Sequence, residues 1–232
     1  MRAIVFANGE FTHRQQAREM LRPDDRIIAA DGGTRHALSI DVIPHTVIGD
    51  LDSLSAADRA HVEAAGARII PFSPHKDETD LELALLHAVE EGATEIVVLA
   101  ALGGRLDQTI ANVLLLALPT LRALDVRIVD GPQEAFFIHS ARRIAGQPGD
   151  TLSLIPLGGD ATGVTTQGLE WPLHGETLYS GPARGVSNVL TEQEARVRVE
   201  HGPLLCIVTH TDPRHSGDND PHAKEPTEGG SR

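Results

Sequence analysis

An α/β domain built on a mostly parallel sheet with helices on both faces, followed by an all-β sandwich, is the fold this sequence predicts. Three observations carry that expectation. Up to residue 131, continuous apolar runs of strand length alternate with segments of helical periodicity, the pattern of a parallel sheet covered on both sides. From residue 132 the helical spacing disappears, and short strand-like runs separated by Gly and Pro replace it. With 232 residues and 41% hydrophobic content, the chain can bury one large core or two smaller ones. The expected division is an α/β domain over residues 1–131, a β-sandwich over 132–211 and a disordered tail over 212–232, where apolar residues give way to Asp, Pro, Gly, His and Lys.

The elements follow in order. Ala3-Ile4-Val5-Phe6-Ala7 reads as a buried parallel strand ending in Asn8-Gly9, and a helix is expected from about Thr12 to Leu21. Arg26 to Ala30 is a second strand, closed by Asp31-Gly32-Gly33, where glycine lets a ligand approach the backbone and a helix start supplies amide donors. Val42 to Ile48 gives a third strand, Ala56 to Ala65 a helix and Arg68 to Pro71 a fourth strand. Leu81, Ala84, Leu85, Ala88 and Val89 recur at helical spacing, and Glu95 to Ala101 is again a strand. It exits into Gly103-Gly104-Arg105-Leu106-Asp107-Gln108. On the helix that follows, Arg105, Gln108, Thr109 and Asn112 share a polar face expected to look into a crevice, while Leu106, Ile110, Val113, Leu114 and Ala117 cover the other. Val126 to Val129 completes the α/β part. Strand-like runs then fall at Ala135 to His139, Thr151 to Pro156, Gly163 to Thr166, Ala195 to Val199 and Leu204 to Val208.

Two acidic clusters stand out. The run Thr46-Val47-Ile48 leads directly into Gly49-Asp50-Leu51-Asp52-Ser53, at a strand exit of the kind that opens onto the ligand crevice of an α/β sheet. Asp50 and Asp52 are expected to point the same way. Lys76-Asp77-Glu78-Thr79-Asp80 opens a helix, which is expected to place Asp77 and Asp80 on neighbouring turns of one face. Four carboxylates gathered without a cation repel one another. Mg²⁺ suits such a site, because it uses few carboxylates and leaves room for phosphate oxygens and water. Arg105, after two glycines at a strand exit, is the candidate phosphate clamp, since a planar guanidinium grips two oxygens.

Composition narrows the partners. A net charge of −13 with pI near 5.3 argues against a nucleic-acid or anionic-membrane surface, which needs clustered Lys and Arg. An anionic ligand then has to arrive with a metal. Cys206 is the single cysteine, in a strand-like apolar setting, so an intrachain disulfide is impossible and a reducing compartment fits. No apolar stretch approaches the ~20 residues of a membrane span and no leader is evident, so a cytoplasmic location is expected. Aromatic residues are only 3% of the chain, which draws attention to the lone Trp171 and Tyr179. His210, His215 and His222 read as solvated. No G-x-G-x-x-G follows the first strand, which disfavours a dinucleotide oxidoreductase.

Taken in order, Asp31-Gly32-Gly33, Gly49-Asp50-Leu51-Asp52-Ser53, Lys76-Asp77-Glu78-Thr79-Asp80 and Gly103-Gly104-Arg105-Leu106-Asp107-Gln108 with Asn112 resemble the motif series of the thiamine pyrophosphokinase family. Gly163-Val164-Thr165-Thr166, Gly168-Leu169, Trp171 and Gly185-Val186-Ser187-Asn188 are similar to that family's thiamine-binding domain, so the resemblance spans roughly residues 3 to 209. One departure is Gln108, where many bacterial members carry His. The resemblance implies transfer of a diphosphoryl group from ATP to the hydroxyl of thiamine, with Mg²⁺ held by Asp50, Asp52 and Asp80 and with Asp77 as a further ligand or an orienting group. It implies that Arg105 and Lys76 face the phosphates, and that Asn8, Asp31 and Gly32 line the nucleotide side. Asp107 and Asn112 would fix Arg105 or contact the nucleotide. Trp171 would be the aromatic platform for thiamine, with Ser187 and Asn188 as polar partners. It also implies a homodimer with thiamine between one subunit's α/β domain and the other's β domain. Two other readings stay open: a related pyrophosphokinase acting on another hydroxyalkyl heterocycle such as a pterin, and a thiamine- or nucleotide-binding module that releases no AMP.

Overall fold

The computed structural model describes residues 1–211, so the expected tail, with His215 and His222, lies outside the described residues. Chain order gives β1 Arg2–Phe6, α1 Arg14–Met20, β2 Arg26–Ala30, α2 Gly33–Leu38, β3 Thr46–Gly49, α3 Ala56–Ala64, β4 Arg68–Pro71, α4 Asp80–Glu90, β5 Glu95–Leu99, α5 Leu106–Leu115 and β6 Asp125–Asp130. The β part continues with β7 Gln133–Ile138, β8 Ala141–Ala145, β9 Thr151–Pro156, β10 Ala161–Gln167, β11 His174–Leu178, β12 Asn188–Val189, β13 Glu194–Arg198 and β14 Leu204–Thr209.

Six strands, β6-β5-β1-β2-β3-β4, run parallel, and their nearly uninterrupted apolar sequences are explained by burial on both faces. In β1 the alternation is visible. Ala3 and Val5 face the layer that holds Leu81, Ala84, Leu85 and Ala88 of α4, while Ile4 and Phe6 face Ala17 of α1 and Ala37 of α2. The chain steps outward from β1 to β4 and then returns to place β5 on the other side of β1. That reversal is a topological switch point, where the connections on either side of β1 and β5 diverge and leave a crevice at the carboxyl ends.

The sheet does not stop at residue 131. β7 pairs antiparallel with β6 through Ile128↔Ala135, Val129↔Glu134 and Asp130↔Gln133, and β14, β9 and β12 extend the same sheet to ten strands. The sandwich is therefore this extension packed on a separate four-stranded sheet, β11-β10-β13-β8. Phe136, Ile138, Leu152, Leu154, Leu204 and Cys206 meet Ile144, Val164, Leu178, Ala195 and Val197 between the layers. Burial there pushes the Cys206 thiol up to about 12. Three strands escaped the sequence reading, because β8, β11 and β12 are short and carry mostly polar or small residues: Ala-Arg-Arg-Ile-Ala, His-Gly-Glu-Thr-Leu and Asn-Val. Beyond β14, His210 is not simply solvated. Its Nδ1 lies 2.8 Å from a carboxylate oxygen of buried Asp150, which also accepts from the amide and hydroxyl of Thr211 at 2.8 Å each. No helix is long and apolar enough to cross a membrane among the described residues.

Candidate active site

A cleft of about 610 Å³ lies at the switch point, and every loop that follows β1 to β5 contributes to its walls. Asn8 and Glu10 come from the first, Asp31 from the second, Asp50, Asp52 and Ser53 from the third, Lys76 and Asp80 from the fourth, and Arg105, Gln108 and Asn112 from the fifth. The backbone is bent hard to make this rim. Among the described residues, five that are not glycine have positive φ, and three of them sit at these exits: Asp31 at 42°, Leu51 at 66° and Ala100 at 55°. A left-handed non-glycine residue costs on the order of 1 kcal/mol or more, and such residues cluster where function sets the geometry.

Asp50 and Asp52 are brought together by the left-handed Leu51 between them, not by strand alternation, and the Asp52 amide donates to Asp50 Oδ1 at 3.2 Å. One carboxylate oxygen from each of Asp31, Asp50 and Asp52 lies within 4.8 Å of the others. Asp31 is 4% exposed, and its Oδ1 finds no hydrogen-bond partner among the described residues. Burial raises its pKa, and the charges of Asp80 and Asp50 raise it further against the opposing bonds from Ser53 and the Gly32 amide. Gly49, with φ of 150°, makes the approach possible: a Cβ there would lie 2.8 Å from Asp31 Cβ and 3.1 Å from Asp80 Oδ1. An orphaned buried oxygen beside two further carboxylates is a donor set that fits a hard divalent cation such as Mg²⁺.

The fourth loop departs from expectation. Helix α4 begins only at Asp80, because the Thr79 side chain caps it by accepting from the Glu82 amide at 3.2 Å. Asp77 therefore sits in the preceding bend, exposed and outside the cleft wall, and shares no helix face with Asp80. Asp80 itself is held by Lys76 Nζ at 2.7 Å, so the three carboxylates that converge are Asp31, Asp50 and Asp52. Arg105 stands at the start of α5 and pairs with Asp107 through two contacts, 2.5 and 3.1 Å. Asp107 holds Arg105 from outside the cleft wall. Asn112 is buried and donates to the carbonyl of Ala101 at 2.7 Å, which ties α5 to the strand exit. Gly32 opens the turn into α2 directly against the Asn8 side chain. On α5 the apolar face is divided. Leu116 is buried in the core with Val113 packed against it, yet Leu106, Ile110 and Leu114 are 72, 52 and 48% exposed among the described residues.

Trp171, Ser187 and Asn188 do not line this cleft. Trp171 is 57% exposed at the edge of the sandwich. The Asn188 amide clamps it, donating to the Trp171 carbonyl at 2.7 Å and accepting from the Trp171 amide at 3.1 Å. Asn188 thus fixes the backbone that carries the indole, and its Oδ1 also accepts from the Val189 amide at 2.9 Å. Ser187 has φ of 62°, and its amide donates to Ser153 Oγ at 3.0 Å. Glu10 is a cleft residue that sequence reasoning passed over, and Ser53 is one it read only as the end of an acidic motif, with no role of its own. Their signal was position alone, within a few residues of a parallel strand's carboxyl end.

A parallel sheet whose switch-point cleft carries converging carboxylates, a lysine and an arginine defines a phosphotransfer enzyme of the α/β class, here with a β-sandwich attached. Comparison with known proteins makes this specific. Residues 17–128 match the family model described as "Thiamin pyrophosphokinase, catalytic domain", and residues 138–204 match "Thiamin pyrophosphokinase, vitamin B1 binding domain". A thiamine pyrophosphokinase of Bacillus subtilis is 27% identical over 182 residues, covering 78% of this chain and 85% of that protein. Thiamine pyrophosphokinase 1 of Oryza sativa subsp. japonica is 29% identical over 180 residues, 71% of this chain and 66% of that longer protein. The crystal structure of the Bacillus subtilis enzyme superposes with a TM-score of 0.80 over 91% of this chain and all of that one, at 24% identity, which supports the same fold. The chain belongs to the thiamin pyrophosphokinase family.

Proposed function

We infer that this chain is a thiamine pyrophosphokinase that moves the terminal diphosphoryl group of ATP to the hydroxyl of thiamine. The observation that carries the reading is the convergence of Asp31, Asp50 and Asp52, with Lys76 and Arg105 on the same cleft wall, in a chain matched by both domains of that family. A bond forms between the thiamine oxygen and the β-phosphorus, and the bond from that phosphorus to the oxygen it shares with the α-phosphorus breaks. The hydroxyl's proton is released to solvent, and AMP leaves with the shared oxygen.

Asp31, Asp50 and Asp52 would hold Mg²⁺, which neutralises phosphate charge and orients the polyphosphate. Asp80, facing the same Gly49 turn, completes the acidic wall and keeps Lys76 directed at the cleft. Arg105 reaches the phosphates as a planar clamp, with Asp107 fixing the guanidinium along its Nε and Nη2 edge. Asn8 and Gly32 border the nucleotide end. Catalysis here rests on positioning and charge, since phosphoryl transfer asks little covalent chemistry of the protein.

Thiamine brings a cation and flat rings, which suit the displayed face of Trp171. That face stands outside the cleft of its own chain. A second copy supplies it in the reading that fits both facts: a homodimer in which one subunit's Trp171 closes the other's cleft. The uncovered stripe Leu106, Ile110 and Leu114 beside Arg105 supports such an interface. Incubation with ATP, Mg²⁺ and thiamine, followed by nucleotide separation, tests the activity: AMP should appear in step with thiamine diphosphate, and ADP instead would point to monophosphoryl transfer.

A further inference from the structure

The loop after β1 and the loop after β5 meet at the switch point, and three hydrogen bonds join them. The Gly9 amide donates to the Ala100 carbonyl at 2.7 Å and the Glu10 amide to the Leu102 carbonyl at 2.8 Å. The third bond is made by a side chain: Glu10 Oε1 accepts from the Gly104 amide at 3.0 Å. Gly103 allows this, with φ of 81° and no side chain, since a Cβ there would lie 2.7 Å from Glu10 Cγ and Cδ. The platform from which Glu10 reaches is itself fixed, because His36 Nε2 lies 2.9 Å from the Gly9 carbonyl. On the other side of the same loop, Thr109 Oγ1 donates to the Gly103 carbonyl at 3.3 Å. The residue after Gly104 is Arg105, whose guanidinium is largely exposed and is tied only to Asp107 among the described residues.

We propose that Glu10 is a positioning residue for the phosphate grip: by pinning the Gly104 amide it fixes the point from which Arg105 enters the cleft. The proposal rests on the diphosphoryl-transfer reading and adds a residue to it. Two physical arguments support it. A carboxylate on the wall of a cleft for polyphosphate is repelled by its own ligand, so its presence calls for a compensating role, and the Gly104 amide provides one. Two adjacent glycines have the most backbone freedom of any pair, so an unpinned loop loses more entropy when Arg105 closes on a phosphate.

The test compares wild type, Glu10→Ala, Glu10→Gln, Arg105→Ala and the double variant Glu10→Ala/Arg105→Ala. Steady-state kinetics for both substrates and thermal melting are measured for each. Glu10→Ala should raise the KM for ATP about tenfold, the worth of one hydrogen bond to a charged group, with the thiamine KM unchanged and the melting temperature lowered by no more than a few degrees. Glu10→Gln keeps an acceptor oxygen and should stay within about twofold of wild type. In the Arg105→Ala background, Glu10→Ala should add little, because the two act as one unit. Wild-type turnover is judged separately: no AMP release sinks the activity and this proposal together. With turnover present, three results overturn the proposal alone: Glu10→Ala without effect, Glu10→Gln as damaging as Glu10→Ala, or single-variant effects that simply add.

Discussion

The rim of the parallel sheet and the loop edge of the sandwich are built on different physics. At the rim, five strand exits deliver charged side chains to one cleft from a sheet whose faces are both buried, so carboxylates that repel one another are held together by the backbone beneath them. At the sandwich edge the important group is an apolar ring held out into solvent, with the Asn188 amide spent on its backbone. One region holds mutually repelling carboxylates close together, an arrangement that a bound cation would relieve. The other stores exposed surface until something covers it. A ligand with a polyphosphate at one end and a cationic heterocycle at the other would need both, and a single chain presents them in separate places.

The largest effect that can break this contrast is loss of charge at the rim. Asp52→Asn should lower turnover on the order of a thousandfold, several kcal/mol of transition-state charge stabilisation, while circular dichroism and melting show an intact fold. Near-normal AMP release from that variant would remove the metal assignment. At the sandwich edge, Trp171→Ala should raise the thiamine KM roughly 10- to 100-fold and leave the ATP KM alone, as expected for a lost cation–π platform. A matching rise for ATP would show that the two regions do not divide the ligands. Mixing the two variants sharpens the comparison. Each alone is defective, but random re-assembly of subunits should restore about a quarter of wild-type activity if sites are shared across a two-fold dimer. No recovery after subunit exchange would place Trp171 with its own chain's cleft.

Smaller effects probe that repulsion. Because burial and neighbouring carboxylates raise the Asp31 pKa, the folded protein binds this proton more tightly than the unfolded chain does. Stability from this group is therefore fully present below the ordinary carboxylate value and is lost as pH rises through the raised folded value. Asp31→Asn should raise the metal-free melting temperature by a few degrees at pH 7, flatten that pH dependence and weaken Mg²⁺ binding measured by calorimetry. A lower melting temperature would mean that Asp31 is a structural partner. The smallest effect expected is at Cys206: with its thiol pushed up to about 12 in the sandwich core, a thiol reagent at pH 8 should label it only after unfolding.

Much of this was legible in the sequence, and the reason is period. Buried strands such as Ile4-Val5-Phe6 and Ile96-Val97-Val98-Leu99 have to be apolar throughout, so they announce both themselves and the turns that end them. The acidic turns after the third and fourth strands stood out for the same reason, as charge placed directly against apolar runs. What the residues by themselves determined was the alternation of elements, the family and the set of polar groups at the strand ends. Tertiary structure decided which of those groups meet: Asp31 joins Asp50 and Asp52 because Gly49 leaves room, Asp80 is paired with Lys76, and Asp77 drops out because Thr79 starts the helix late. It also decided that the sheet runs unbroken into the sandwich and that no described residue covers the Leu106, Ile110 and Leu114 stripe. Local sequence fixes backbone periodicity through steric preference and burial. Convergence of side chains from five loops depends instead on the order in which strands stack, which no window of neighbouring residues contains.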